Sequence, residues 1–170
     1  EAYDRVAKIA EERLSKEQIW QVAIGALKWN DLKRKPELNV VFDWDESVRL
    51  EGNAGPYVQY TATRALSVLQ KAGVVHDQVK SAKLTSELAP LERSLTLKLL
   101  TFPEVFASAT AELAPHQVCT YLFELAQLFN RFYHHHQILQ AETAAKKQLR
   151  LQLTVATADI LKQGLKLLGI

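Results

Sequence analysis

The chain has 170 residues, 48% hydrophobic and 24% charged, with a net charge of +2. Those values suit one well-buried domain, alone or with a small appendage, and exclude wholesale disorder and a protein that coats DNA by general attraction. One cysteine, Cys119, excludes an intramolecular disulfide and fits a reducing compartment, and no apolar run approaches the ~20 residues of a membrane span.

The opening Glu-Ala-Tyr-Asp-Arg has neither the apolar core of a signal peptide nor an Arg-rich targeting pattern. The absence of methionine predicts a piece of a longer protein. Residues from about Tyr3 to Leu14 read as a polar helix. Ser15-Lys16-Glu17-Gln18 has the form of a capping box and starts a second helix, with Ile19, Val22, Ala23, Ala26 and Leu27 at helical spacing. Lys33-Arg34-Lys35-Pro36 breaks it. The cluster Lys28, Lys33, Arg34 and Lys35 reads as a solvated loop, with a phosphate contact as the alternative. Asn39 to Phe42, short and β-branched, predicts the one strand, followed by Asp43-Trp44-Asp45 as a structural turn. A single strand makes no sheet, so this part is a helix-strand appendage.

After Gly52 the pattern is helical throughout, and Pro56, Pro90, Pro103 and Pro115 each stand where a helix begins. The first of these helices has Asn53 near its cap and ends at Gly73. At about 100° per residue, Tyr57, Tyr60 and Arg64 share a stripe roughly 60° wide. Val58, Ala62, Ala65 and Leu69 form a separate apolar stripe, and Lys71 returns to the side of Arg64. Residues 73–89 read equally as loop or short helix. Helix 115–135 carries Val118, Leu122, Leu125, Phe129 and Phe132 as a core stripe, with Tyr121, Asn130, Arg131, Tyr133 and His134 on its other sides. Helix 142–168 offers Leu149, Leu153, Ala156, Ile160 and Leu167 as another stripe, widened by Leu161, Leu165 and Leu168, and Gly169 stops it. The predicted fold is mainly α, an antiparallel helical bundle preceded by the helix-strand appendage.

Two rings beside a guanidinium suit an unpaired nucleotide, the rings taking base faces and the charge a phosphate; packing against the core is the competing reading. Tyr133 joins as a further candidate, whereas Phe129 and Phe132 read as core. His134-His135-His136 cannot converge on one ion, since consecutive helical residues point about 100° apart. No nucleophile elbow and no Gly-rich phosphate loop occurs. No catalytic centre and no metal site is predicted.

The order of several motifs resembles the C-terminal part of arginyl-tRNA synthetases. They are Val22-Ala23-Ile24-Gly25-Ala26-Leu27-Lys28-Trp29, Val41-Phe42-Asp43-Trp44-Asp45, and Glu51-Gly52-Asn53-Ala54-Gly55-Pro56-Tyr57-Val58-Gln59-Tyr60. Further along come Tyr121-Leu122-Phe123-Glu124-Leu125-Ala126, Phe129-Asn130-Arg131-Phe132-Tyr133-His134, and the closing Gly164-Leu165-Lys166-Leu167-Leu168-Gly169-Ile170. The resemblance covers nearly the whole chain. It implies that residues 1 to about 50 are the tail of a class I catalytic part with its stem-contact region, and that 51–170 are a DALR-type anticodon-binding bundle.

It further implies that Tyr57, Tyr60 and Arg64 help line the pocket for anticodon bases of arginine tRNA, with Lys71 and Tyr133 as additional tRNA contacts. Family members usually run some residues past the position of Ile170, and that extension is expected to close the pocket. The HIGH-type and KMSKS-type motifs and the module that reads the tRNA elbow are not in this sequence. On the resemblance, ATP (with Mg2+) and arginine belong to an upstream catalytic domain of a cytoplasmic full-length ligase; this segment carries no cofactor, is inactive alone, and has no membrane or DNA partner. The alternatives are a non-catalytic helical module that docks another protein, and an independent enzyme.

Overall fold

A computed structural model describes residues 1–10, 13–39, 41–74 and 87–170. Most of the stretch left open between loop and short helix, 75–86, lies outside the described residues. Every regular element among the described residues is a helix: α1 (Ala2–Ala10), α2 (Lys16–Leu32), α3 (Trp44–Ser47), α4 (Gly55–Lys71), α5 (Pro90–Leu100), α6 (Phe102–Ala111), α7 (Pro115–His135) and α8 (Ala144–Leu167).

Local chemistry accounts for most boundaries. Ser15 Oγ accepts from the Gln18 N–H at 3.2 Å while Gln18 Oε1 accepts from the Ser15 N–H at 2.8 Å, a complete capping box. Pro56, Pro90, Pro103 and Pro115 all sit in first turns, where a missing N–H costs nothing. Gly73 and Gly169, at φ +65° and +73°, end α4 and α8. At each end a six-to-one bond forms, Val74 N–H to Leu69 O (3.1 Å) and Ile170 N–H to Leu165 O (2.9 Å). The same motif closes α6, Ala114 N–H to Ala109 O at 2.8 Å, but there Leu113 takes the left-handed position at φ +51°.

Four expectations are corrected. The strand at Asn39–Phe42 is absent among the described residues, because no second strand offers its backbone a partner. Val41 is exposed, Phe42 folds edge-on to Trp44 at 4.7 Å, and Asp43 instead caps α3 by accepting the Glu46 N–H at 3.0 Å. Asn53 does not cap α4. Its Oδ1 accepts the indole N–H of the fully buried Trp29 at 2.9 Å, and Ala54 takes the cap position.

Tyr121 is buried rather than outward: α5 and α6 cover that side of α7, and its hydroxyl donates to Lys98 O at 2.7 Å. In α8 the expected Leu149, Leu153, Leu161 and Leu165 are buried, but Thr154, Thr157 and Ala158 are buried with them, while Ala156 and Ile160 are only half-buried and Leu167 is exposed. The two threonine hydroxyls return to the carbonyls four residues back, at 2.7 Å each, and so count as core.

The main core lies where α4, α7 and α8 meet. Val118, Leu122, Leu125, Phe129 and Phe132 of α7 are all buried in it, as predicted, and α5 and α6 flank α7. A second cluster joins α1, α2 and Val48 through Ala2, Val6, Ile19, Ala23 and Ala26. Helix α2 belongs to both, since Trp29 enters the main core. It crosses α4 at two glycines. A Cβ on Gly55 would lie 2.7 Å from Gly25 O, so the α4 backbone reaches the α2 backbone only with a bare residue there, whereas one on Gly25 would displace the Gln59 side-chain amide, 2.6 Å away. The basic cluster is partly structural: Lys33 Nζ donates to Glu46 Oε1 and Asn53 O, both at 3.0 Å, and Lys28 Nζ donates to Gly169 O.

The deepest charges had no counterpart in the sequence reading. Glu92, fully buried at the start of α5, accepts from Arg150 Nε (2.8 Å), Lys146 Nζ (2.9 Å) and the Ala89 N–H (2.9 Å). Burial pulls its carboxyl upward, but the hydrogen bonds from Lys146, Arg150 and Ala89 outweigh that and bring it down to about 2 from 4.5. A depressed carboxyl contributes stability that is present above its unfolded value and is lost as pH falls from 4.5 towards about 2.

Acid titration of urea-unfolding stability is therefore expected to fall steeply in that window. Glu92→Ala is expected to cost about 3–5 kcal/mol at neutral pH, because the buried Arg150 loses its fully buried counter-charge and keeps only the exposed Glu142 carboxylate and Gln137 O; a cost below about 1 kcal/mol contradicts this role. Leu113 is 85% exposed, so Leu113→Gly gives up almost no burial and relieves a left-handed backbone. A gain of about 0.5–1 kcal/mol is expected in urea unfolding, and a loss would refute the strain argument.

Candidate nucleic-acid interface

Helix α4 has the two faces its spacing predicts. Val58, Ala62, Ala65 and Leu69 are buried in the main core. On the other side, Tyr57 and Arg64 are half-buried, Tyr60 is 49% exposed and Lys71 is exposed. The Arg64 guanidinium lies between two rings, 4.8 Å from the centroid of Tyr60 on its own helix and 5.3 Å from that of Tyr133 on α7. Its Nη2 donates to the Tyr60 hydroxyl at 3.3 Å and its Nη1 to Asn130 Oδ1 at 2.6 Å.

Asn130 organises this group, and sequence reasoning did not choose it. Its Nδ2 donates to the Tyr57 hydroxyl at 3.0 Å and to Thr61 Oγ1 at 2.9 Å. The Thr61 hydroxyl already spends its proton on Tyr57 O at 2.9 Å, so it can only accept from Asn130. The amide nitrogen must therefore face Thr61, and the oxygen is left to take Arg64. The signal in the sequence was an asparagine following Phe129 in a helix whose neighbouring positions are core.

The five predicted residues do not form one pocket. Arg64, Lys71 and Tyr133 line a common cleft of about 580 Å³, together with Ser67 and His134–His136. Tyr60 stands outside that cleft, joined to it through Arg64, and its other edge borders an apolar groove of about 340 Å³ against Val6, Ile9, Leu50 and Pro56. Tyr57 lies behind both, with its ring edge-on to Phe123 at 5.7 Å and its hydroxyl held by Asn130. Tyr57 thus belongs to the frame, while Tyr60 and Arg64 face outwards.

Among the described residues no three His, Cys, Asp or Glu side chains converge as metal ligands. The histidines diverge: His135 Nδ1 bonds Arg131 O at 2.8 Å, His134 meets the Tyr133 ring at 5.7 Å, and His136 packs on Phe132 at 5.3 Å. Burial, and then the charge of Arg150, lower the affinity of His136 for a proton. Burial pushes the Cys119 thiol up to about 12, which leaves no thiolate for nucleophilic chemistry. The Asp43 carboxylate is committed to its cap, and the hydrogen bond from the Glu46 N–H lowers its pKa.

Fold and site together describe an all-helical bundle that presents an arginine clamped between tyrosines beside a cationic cleft. The chain belongs to the DALR anticodon binding domain family, whose family model matches residues 58–170. It is 40% identical over 177 residues to an arginine–tRNA ligase of Yersinia pseudotuberculosis, covering 100% of this chain and 30% of that protein. Its fold matches the arginyl-tRNA synthetase of Thermus thermophilus at a TM-score of 0.90 and 35% identity, over 99% of this chain and 30% of that one. The arginyl-tRNA synthetase of Plasmodium falciparum matches at a TM-score of 0.77 and 25% identity, over 98% of this chain and 29% of that one. The chain thus spans about 30% of the length of the relatives it matches.

Asn130→Ala removes one hydrogen bond from each of Arg64, Thr61 and Tyr57 and is expected to cost about 1–3 kcal/mol in urea unfolding. Combined with Tyr57→Phe, the loss should be smaller than the sum of the single losses, since both remove the same bond. Strict additivity would show that the two side chains are not coupled.

Proposed function

We propose that this bundle recognises the anticodon loop of arginine tRNA with its bases splayed out. The outward ring of Tyr60 stacks on a base, and Arg64 hydrogen-bonds a base edge or a phosphate. Tyr57 packs behind them and holds the frame, while Lys71 and Tyr133 extend the contact along the cleft. The observation that carries this reading is the pre-set guanidinium. Asn130, Tyr60 and Tyr133 fix Arg64 before any ligand arrives, so little side-chain freedom is left to lose on binding. Membership of the anticodon-binding family supports an RNA loop as the occupant.

On this reading residues 1–50 are the tail of the catalytic and stem-contact region, and 51–170 are the recognition domain. The full-length protein is a cytoplasmic class I ligase that attaches arginine to its tRNA using ATP with Mg2+. Its catalytic domain lies upstream in the same chain, and this segment contributes tRNA selection rather than chemistry. No helix among the described residues is long and apolar enough to cross a membrane.

The test is a salt-controlled binding titration of the protein at full natural length with arginine tRNA and with a tRNA for another amino acid. Tyr60→Ala and Arg64→Ala are each expected to weaken arginine tRNA by about 1–3 kcal/mol and to erode the preference for it. Tyr57→Phe, which keeps the ring and removes only the bond to Asn130, should cost less. If arginine tRNA bound no better than the other tRNA, or neither substitution mattered, the assignment would fail.

A further inference from the structure

We infer that the cleft beside Arg64 seats a phosphodiester group of the RNA backbone, and that His134 and His135 join the seat only when they carry a proton. The inference rests on the anticodon reading and deepens it, by giving the histidine run a task and the cleft a ligand chemistry.

The walls come from two elements. Helix α4 contributes Arg64, Ser67 and Lys71, and the last turn of α7 with the turn after it contributes Tyr133 and the three histidines. No Asp or Glu is among the described residues lining the cleft. Arg64 meets only neutral acceptors, Asn130 Oδ1 and the Tyr60 hydroxyl, so its charge has no counter-ion in those bonds. Lys71 stands exposed one face-repeat further along, in the last turn of α4. A cleft with two cations and no lining anion, polar at its rim, suits a small hydrated anion. A phosphodiester on a loop whose bases reach Tyr60 is such an anion.

The proton requirement follows from His135. Its Nδ1 faces Arg131 O at 2.8 Å, and a carbonyl can only accept, so Nδ1 carries the hydrogen. A neutral imidazole then has a bare Nε2, which cannot donate to a phosphate oxygen. Uptake of one proton at Nε2 creates both the donor and the charge. The charged groups facing the histidine run across the cleft are Arg64 and Lys71 from α4. Arg150, Glu92 and Glu142 act on His136 from behind. His136, packed on Phe132, stays out of the exchange.

The test uses the protein at full natural length and an RNA hairpin carrying the anticodon arm of arginine tRNA, followed by fluorescence anisotropy at fixed ionic strength. Between about pH 8 and about pH 5.5, affinity is expected to rise about threefold to tenfold. His134→Gln/His135→Gln should flatten that profile. Lys71→Gln should weaken binding at both values and reduce the slope of log affinity against log salt by roughly 0.7. A profile that is flat in the unsubstituted protein, or that survives in the double histidine variant, overturns the inference. A hairpin with another anticodon separates the two levels. Preference for the arginine hairpin with a flat pH profile removes the phosphate seat alone, whereas absence of both preference and pH response removes the anticodon reading with it.

Discussion

Helix α7 is enclosed by α4, α5, α6 and α8, and this enclosure decides what its polar side chains can do. A polar group turned inward there has no water and must find a partner within the bundle. Tyr121 reaches the carbonyl of Lys98 at the end of α5. Asn130 reaches across to α4 and takes Tyr57, Thr61 and Arg64 at once. The arrangement of Tyr57, Tyr60 and Arg64 is therefore a by-product of satisfying a half-buried amide. The amide is obliged to bond, and in bonding it fixes the guanidinium between the two rings.

The two arginines that matter most show how the setting divides labour between identical side chains. Arg150 is buried against Glu92 with Lys146 beside it and also bonds Glu142 and Gln137 O, so its charge is cancelled where it stands and ties α8 to α5 and to the α7–α8 connection. Arg64 is half-buried and bonded to neutral oxygens, so its charge stays available to a ligand. A modest net charge of +2 is compatible with anion recognition on these terms. On the proposed function, selectivity would come from a few cations without a bonded counter-ion rather than from a basic surface.

What could be read in advance were the features whose cause is local. A proline in a first turn, a glycine at a left-handed position and the Ser15–Gln18 exchange each depend on a handful of neighbouring residues, and each stands where it was expected. The misreadings share a different cause. Asn39–Phe42 has strand composition, but a strand needs a second edge that this part of the fold does not supply. Asn53 is a good cap residue by type, yet the buried indole of Trp29 claims its oxygen. Thr154 and Thr157 look polar in a hydrophobic count, although hydroxyls bonded back to their own helix behave as core. The strand lacked a distant partner, Asn53 found one, and packing buried the threonines, so each outcome was set by the tertiary surroundings.

The sequence by itself determined the long helices, the core stripes of α4 and α7 and the side of α4 that carries Tyr57, Tyr60 and Arg64, because periodicity of about 3.6 residues is a property of one helix alone. Its motif order also pointed to the family. Only the tertiary structure decided that Tyr57 is frame while Tyr60 faces out, and that Arg64, Lys71 and Tyr133 share a cleft with the histidines. It alone showed that Asn130 ties the group together. Those are relations between helices some seventy residues apart, and they depend on how α7 is rotated against α4. That rotation is set by packing, which no single helix encodes.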